Sequence, residues 1–139
     1  MPRFAAIDVG SNASRLLIVQ AKEPKRVREV RSLRVPVRLG HEVFQTGELH
    51  PGTIDQCVAT LREFAEAMED ARVDDYRAIV TASARSARNG KVLLERVREE
   101  AGIALDSIDG TEEARIVGLA VRDAMSLPGP AVLMDLGGG

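Results

Sequence analysis

The apolar positions of this chain change their period along its length, and the change predicts the order of its elements. Phe4 to Val9 is a short apolar run, and after a polar turn Arg15 to Ala21 is a second, rich in Leu, Ile and Val. Strands this close in sequence pair as a hairpin. Between Val27 and Leu39, Leu33, Val35, Val37 and Leu39 alternate with Arg34, Pro36 and Arg38, which predicts a third strand. Pro36 has no N–H to give to a ladder, so this strand lies at an edge or ends there.

After His50-Pro51-Gly52 the period becomes helical. Proline at the first helical position sacrifices no hydrogen bond, and Ile54, Cys57, Val58, Leu61, Phe64, Ala65 and Met68 fall on one face. Arg77 to Thr81 reads as a fourth strand. A second long helix carries Val92, Leu93, Leu94, Val97 and Ala101 on its apolar side and stops at Gly102. Ile103 to Ile108 is a fifth strand, and Thr111 is expected to cap a third long helix that turns Ile116, Val117, Ala120, Val121 and Ala124 inward. Pro128-Gly129-Pro130 marks a boundary before a last apolar run, Ala131 to Leu136, expected as one more strand.

Three meandering strands followed by alternating helices and strands imply an α/β fold, a mixed sheet with helices packed on its faces. Residues 1–127 form one domain in this reading, and residues 128–139 are a linker and the first strand of a truncated second domain. No internal repeat or low-complexity segment interrupts the pattern.

With 139 residues the chain is long enough to bury a core, and since only 3% are aromatic and none is Trp, aliphatic side chains must fill it. The net charge of −2 argues against a nucleic-acid binder driven by whole-chain electrostatics. A basic stretch nevertheless runs through Lys22, Lys25, Arg26, Arg28, Arg31, Arg34 and Arg38, against Glu23 and Glu29. It reads either as a charged strand edge that resists edge-to-edge pairing or as a funnel for a polyanion. The single cysteine, Cys57, excludes an internal disulfide and fits a reducing compartment. Met1-Pro2-Arg3 leads straight into a strand, and no apolar run approaches a membrane span, so a cytoplasmic protein without a membrane partner is expected.

Candidate chemistry lies at both ends of the chain. Ala5 to Asn12 (AAIDVGSN) and Ala131 to Gly139 (AVLMDLGGG) are each an apolar run ending in Asp and then glycine. Bare backbone N–H groups in such loops make a concavity for anions. A carboxylate beside a polyanion needs a cation between them, so Asp8 and Asp135 point to Mg²⁺ or another hard divalent ion. The alternative at Asp8 is a cap on a tight hairpin turn, with Gly10 and Asn12 serving turn geometry. Glu112 and Glu113 open a helix, where carboxylates also favour the dipole. Arg85 and Arg88 can each hold phosphate or pair with a surface carboxylate. His41 and His50 have no partners at metal-ligand spacing.

In order and spacing, IDVGSNASRLLI, PVRLGHEVFQTGELHPGTI, TASARSARNG, DGTEEAR and MDLGGG resemble the exopolyphosphatase and guanosine pentaphosphate phosphohydrolase family, over essentially the whole chain. The resemblance implies an actin-like, ribonuclease-H-like fold with a five-stranded sheet and an active site in a cleft between two domains. It implies removal of the terminal phosphate from inorganic polyphosphate or guanosine pentaphosphate with a divalent metal. On this resemblance Gly10, Ser11 and Asn12 form the first phosphate loop and Gly137, Gly138 and Gly139 the second. Glu113 is then the catalytic glutamate, Asp135 matches a metal ligand, and Arg15 and Arg85 meet phosphate oxygens.

The chain departs from the family pattern where Ser-Asn-Ser-x-Arg reads Ser11-Asn12-Ala13-Ser14-Arg15. Ser14 does not replace the lost hydroxyl, because a one-residue shift along a strand faces the opposite side. The Ser/Thr and Glu that follow the family's second loop are absent from this chain, and with half the cleft missing the isolated chain is expected to show little or no activity. A non-catalytic polyphosphate or nucleotide sensor, and an ATP-using kinase or ATPase of the same fold, remain as alternatives. A homodimer is possible for the full-length protein.

Overall fold

In the computed structural model, which describes residues 1–23, 26–126 and 128–137, the two N-terminal apolar runs form β1 (Arg3–Val9) and β2 (Ser14–Glu23), paired antiparallel. β3 (Arg26–Val35) adds antiparallel to β2 and stops just before Pro36. β4 (Asp75–Val80) lies parallel to β1 on its other side, and β5 (Asp106–Ser107) closes a five-stranded mixed sheet in the order β3-β2-β1-β4-β5.

Strand alternation sorts the side chains. Leu16, Ile7 and Ala78 stand in one register row across β2, β1 and β4, and all are buried. They face α2 (Pro51–Asp70) and α4 (Gly90–Ala101), whose Phe64, Leu61, Leu93 and Val97 complete the core. The next row, Arg34, Arg15, Asp8 and Ile79, points to the opposite face. As expected, α2 begins with proline at its first position. Cys57 is fully buried on α2, where desolvation pushes its thiol pKa up to about 12 and keeps it unreactive. Ser14 is buried on the core side of β2, away from the loop it follows.

Several expectations require correction. Two short helices occupy segments that carried no helical period: α1 (Leu39–Thr46) and α3 (Ala82–Ser86). The fifth strand shrinks to two residues, because only Asp106 and Ser107 find ladder partners, although Ile103, Leu105 and Ile108 are buried. α5 (Gly110–Ala124) is capped by Asp109, whose Oδ1 accepts from the Glu112 N–H at 2.8 Å, and not by Thr111. Its apolar face is not turned into the core: none of its residues is buried, and Ala120 and Ala124 are exposed. Residues Ala131 to Gly137 form no strand, since among the described residues no neighbouring strand offers them a ladder. Val132, Met134 and Leu136 are 95%, 77% and 88% exposed.

Candidate active site

The carboxyl ends of the parallel strands β1 and β4 lie side by side, the place where open α/β sheets bind ligands. β1 delivers Asp8 and the Gly10–Ala13 loop there, and β4 delivers Thr81. The loop closes tightly, with the Gly10 N–H donating to the Ala13 carbonyl at 3.1 Å. Gly10 does not use left-handed backbone. Its missing side chain matters for closeness, because a Cβ would stand 3.2 Å from the Ala13 oxygen.

Two other elements hold this loop from behind. Gly40 of α1 donates its N–H to the Ser11 carbonyl at 2.9 Å, and a Cβ on Gly40 would come within 2.8 Å of the Ser11 Cβ. The Ser83 hydroxyl on α3 meets the Ser11 hydroxyl at 2.5 Å, with both residues buried. The segments that follow α1 and α3 are themselves pinned together. The Asn89 side chain accepts from the Leu49 N–H at 2.9 Å and donates to the Leu49 carbonyl at 2.8 Å. The Glu42 carboxylate takes the place of a helix cap for α2, accepting from the His50 N–H at 3.0 Å and the Thr53 hydroxyl at 2.6 Å.

Against the face that carries Asp8, a cavity of about 760 Å³ gathers Asp8, Gly10, Ser11, Asn12 and Arg15 from the first loop with Glu113 from α5 and Asp135 and Gly137 from the C-terminal segment. Gly138 and Gly139 lie outside the described residues. Thr81, Gly110, Ala114 and Gly118 complete the floor, and the small residues leave the carboxylates room.

Burial pushes the Asp8 carboxyl above its ordinary pKa, the neighbouring Arg15 opposes that rise, and the Asp135 charge adds to it. Two carboxylates that repel one another in a partly desolvated cavity are the donor set a hard divalent cation relieves, with waters and phosphate oxygens filling its other positions. Asp8 and Asp135 therefore fit such an ion. Among the described residues no three His, Cys, Asp or Glu side chains stand close enough to enclose a metal by themselves.

The adjacent glutamates at the start of α5 have separate environments. Glu112 accepts from two guanidinium nitrogens of Arg115, Nε and Nη2, each at 2.7 Å, and lies 3.6 Å from Arg77. The Arg115 hydrogen bonds hold its carboxyl below the usual carboxylate range. Glu113 has no ion pair among the described residues and lines the cavity. The charge of Glu112 is spent on arginine, whereas that of Glu113 is available to a ligand.

Arg85 is not brought to the cavity: it is exposed, and its guanidinium donates to the Ile108 carbonyl, tying α3 to the approach to α5. Arg88 donates to Glu48 and to the Thr46 carbonyl. From the same TASARSARNG segment the structure instead places Thr81 on the cavity wall and Ser83 under the loop. Neither was singled out from sequence. The only available signal was their position directly after a strand, which carries weight once β4 is known to lie parallel beside β1.

The chain matches the model of the Ppx/GppA phosphatase family over residues 17–139. It is 31% identical to exopolyphosphatase 1 of Mycobacterium tuberculosis, over 99% of this chain and 40% of that protein. It is 32% identical to a guanosine-5′-triphosphate,3′-diphosphate pyrophosphatase of Aliivibrio fischeri, over 99% of this chain and 27% of that one. Among solved structures, the PPX-GPPA enzyme of Aquifex aeolicus superposes with a TM-score of 0.85 at 31% identity, covering 92% of this chain and 42% of the other. An exopolyphosphatase from Cytophaga hutchinsonii does so with a TM-score of 0.77 at 29% identity, covering 82% and 36%. The chain thus spans well under half the length of these relatives. Its mixed sheet is the actin-like, ribonuclease-H-like arrangement. Sequence match, fold and the order of the loops agree: the chain belongs to the Ppx/GppA phosphatase family.

Proposed function

We propose that the protein carrying this chain is a divalent-metal-dependent phosphoanhydride hydrolase of the cytoplasm that releases the terminal phosphate of inorganic polyphosphate or guanosine pentaphosphate. The observation that carries the reading is the single cavity shared by Asp8, Glu113, Asp135 and the Gly10–Asn12 loop. The names of the mycobacterial and Aliivibrio relatives support the substrate class.

In this reading the N–H groups of the first loop and the Arg15 guanidinium hold the terminal phosphoryl oxygens. Asp8 and Asp135 would hold the cation, with Mg²⁺ the ion we propose. When bound it would neutralise charge on the phosphate oxygens. Glu113 orients the attacking water in line with the phosphoanhydride and accepts its proton at a carboxylate oxygen. Gly137 to Gly139 begin a second phosphate loop, and residues 128–139 begin a second domain that closes the cleft. Arg85 acts as a tether of α3 rather than as a phosphate ligand.

Replacing Glu113 with Gln in the full-length protein should lower phosphate release by about 10²- to 10⁴-fold while leaving substrate affinity near wild type. Unchanged turnover would remove Glu113 from the mechanism.

A further inference from the structure

A second recess, of about 660 Å³, adjoins the active-site cavity and shares Asn12 with it. Arg34, Arg38 and His41 line it together with Phe44 and Gln45, and among the described residues no carboxylate does. Arg26, Arg77, Arg88, Arg96 and Arg115 each stand beside a carboxylate, whereas neither Arg34 nor Arg38 has an ion pair among the described residues.

The backbone places these cations where they cost stability. Arg34 stands directly opposite Arg15 in the β2–β3 ladder, and Arg15 stands opposite Asp8 in the β1–β2 ladder. Like charges facing each other across strands are destabilising. Arg38 is the N-cap of α1 and makes no side-chain capping bond, so a positive charge sits at the positive end of a helix dipole. An anion lying across Arg15, Arg34 and Arg38 relieves both conflicts. Protection of the sheet edge explains charge along β3. It does not explain why the recess continues past the strand to Arg38 and to His41 on α1.

We propose that this recess is a second phosphate subsite, so that a polyanion whose end lies at Asp8 runs across Arg15 and Arg34 to Arg38 and His41. It rests on the proposed hydrolase for the identity of that polyanion. The phosphates held there are either inner phosphates of linear polyphosphate or the 3′-diphosphate of a guanosine pentaphosphate.

The test is calorimetric binding to the full-length protein with divalent metal chelated, so that affinity is read without turnover. Arg34→Ala/Arg38→Ala should raise the Kd for long-chain polyphosphate, guanosine pentaphosphate or both by roughly a hundredfold, about tenfold per arginine. The Kd for pyrophosphate, which has one phosphate beyond its end, should stay within about twofold. Both side chains are exposed, and an unchanged thermal melt shows that the fold is intact. Loss confined to polyphosphate assigns the inner phosphates, and loss confined to the nucleotide assigns the 3′-diphosphate. Wild-type affinity of the double variant for both, or equal loss for pyrophosphate, overturns the subsite. A wild-type protein that binds long chains through these arginines yet releases no phosphate would sink the hydrolase and leave the subsite standing.

Discussion

The two segments that carry Asp followed by glycine are built in opposite ways. The first, Asp8 to Ala13, is closed by its own hydrogen bond, backed by Gly40, and fixed by the Ser11–Ser83 contact under it. The second, Asp135 to Gly137, reaches the same cavity but lies outside every strand and helix, with Met134 before it and Leu136 within it both exposed. Sequence makes them look alike. The difference teaches that an apolar run ending in Asp-x-Gly specifies a loop only where the run has a ladder to join. β1 has β2 and β4 on either side, whereas residues 131–137 have no strand partner among the described residues.

If the first loop is preorganised by its backing, damage to that backing should be costly. The largest effect is expected at Gly90, where a Cβ would stand 1.9 Å from the Ala84 carbonyl oxygen. Gly90→Ala should displace α3 against α4 and destabilise the domain by about 3 kcal/mol or more, measured by denaturant unfolding. Ser83→Ala strands the buried Ser11 hydroxyl and should cost about 1–2 kcal/mol. It should also weaken phosphate binding, because Ser11 lines the cavity.

The Glu42 cap comes next. Burial works to raise its carboxyl pKa, but the hydrogen bonds from Thr53 and the His50 N–H together hold it below its usual 4.5. Because the folded value is the lower one, the carboxylate's stabilisation is fully present above the ordinary pKa and is lost as pH falls through the depressed value. Glu42→Gln should therefore lower the melting temperature at neutral pH, by an amount corresponding to about 0.5–1 kcal/mol. The gap to wild type should narrow in acid, and a constant gap would break this account. The smallest effect belongs to the second segment: Val132→Ser should change stability by less than about 0.5 kcal/mol.

Much of the fold was legible because period and punctuation agreed. The β1–β2 hairpin, the end of β3 before Pro36 and the proline-led start of α2 all followed from local chemistry. α1 and α3 were not legible, since eight and five residues are too few to show a helical period. For α5 the amphipathic pattern read correctly as helix, but an apolar face states only that a partner surface exists, not that this chain supplies it.

At the site, residues whose position follows from their own strand end or helix start were placed in one cavity: Asp8, Gly10, Arg15 and Glu113. Thr81 and Ser83 were missed because their role depends on β4 lying parallel beside β1, a long-range pairing that no local pattern encodes. Arg85 shows the converse. An arginine after a strand can reach a ligand or a backbone carbonyl, and here the Ile108 carbonyl takes it.

Native-state amide hydrogen exchange tests the contrast between the two segments most directly. The Gly10 and Gly40 amides, which donate to Ala13 and Ser11, should exchange only through large-scale opening, with protection approaching that of the β1 core. The amides of residues 131–137 should exchange at nearly the rate of unstructured chain. Comparable protection in both segments, or rapid exchange at Gly10 and Gly40, would contradict the claim that this chain preorganises the first loop and leaves the second unsupported.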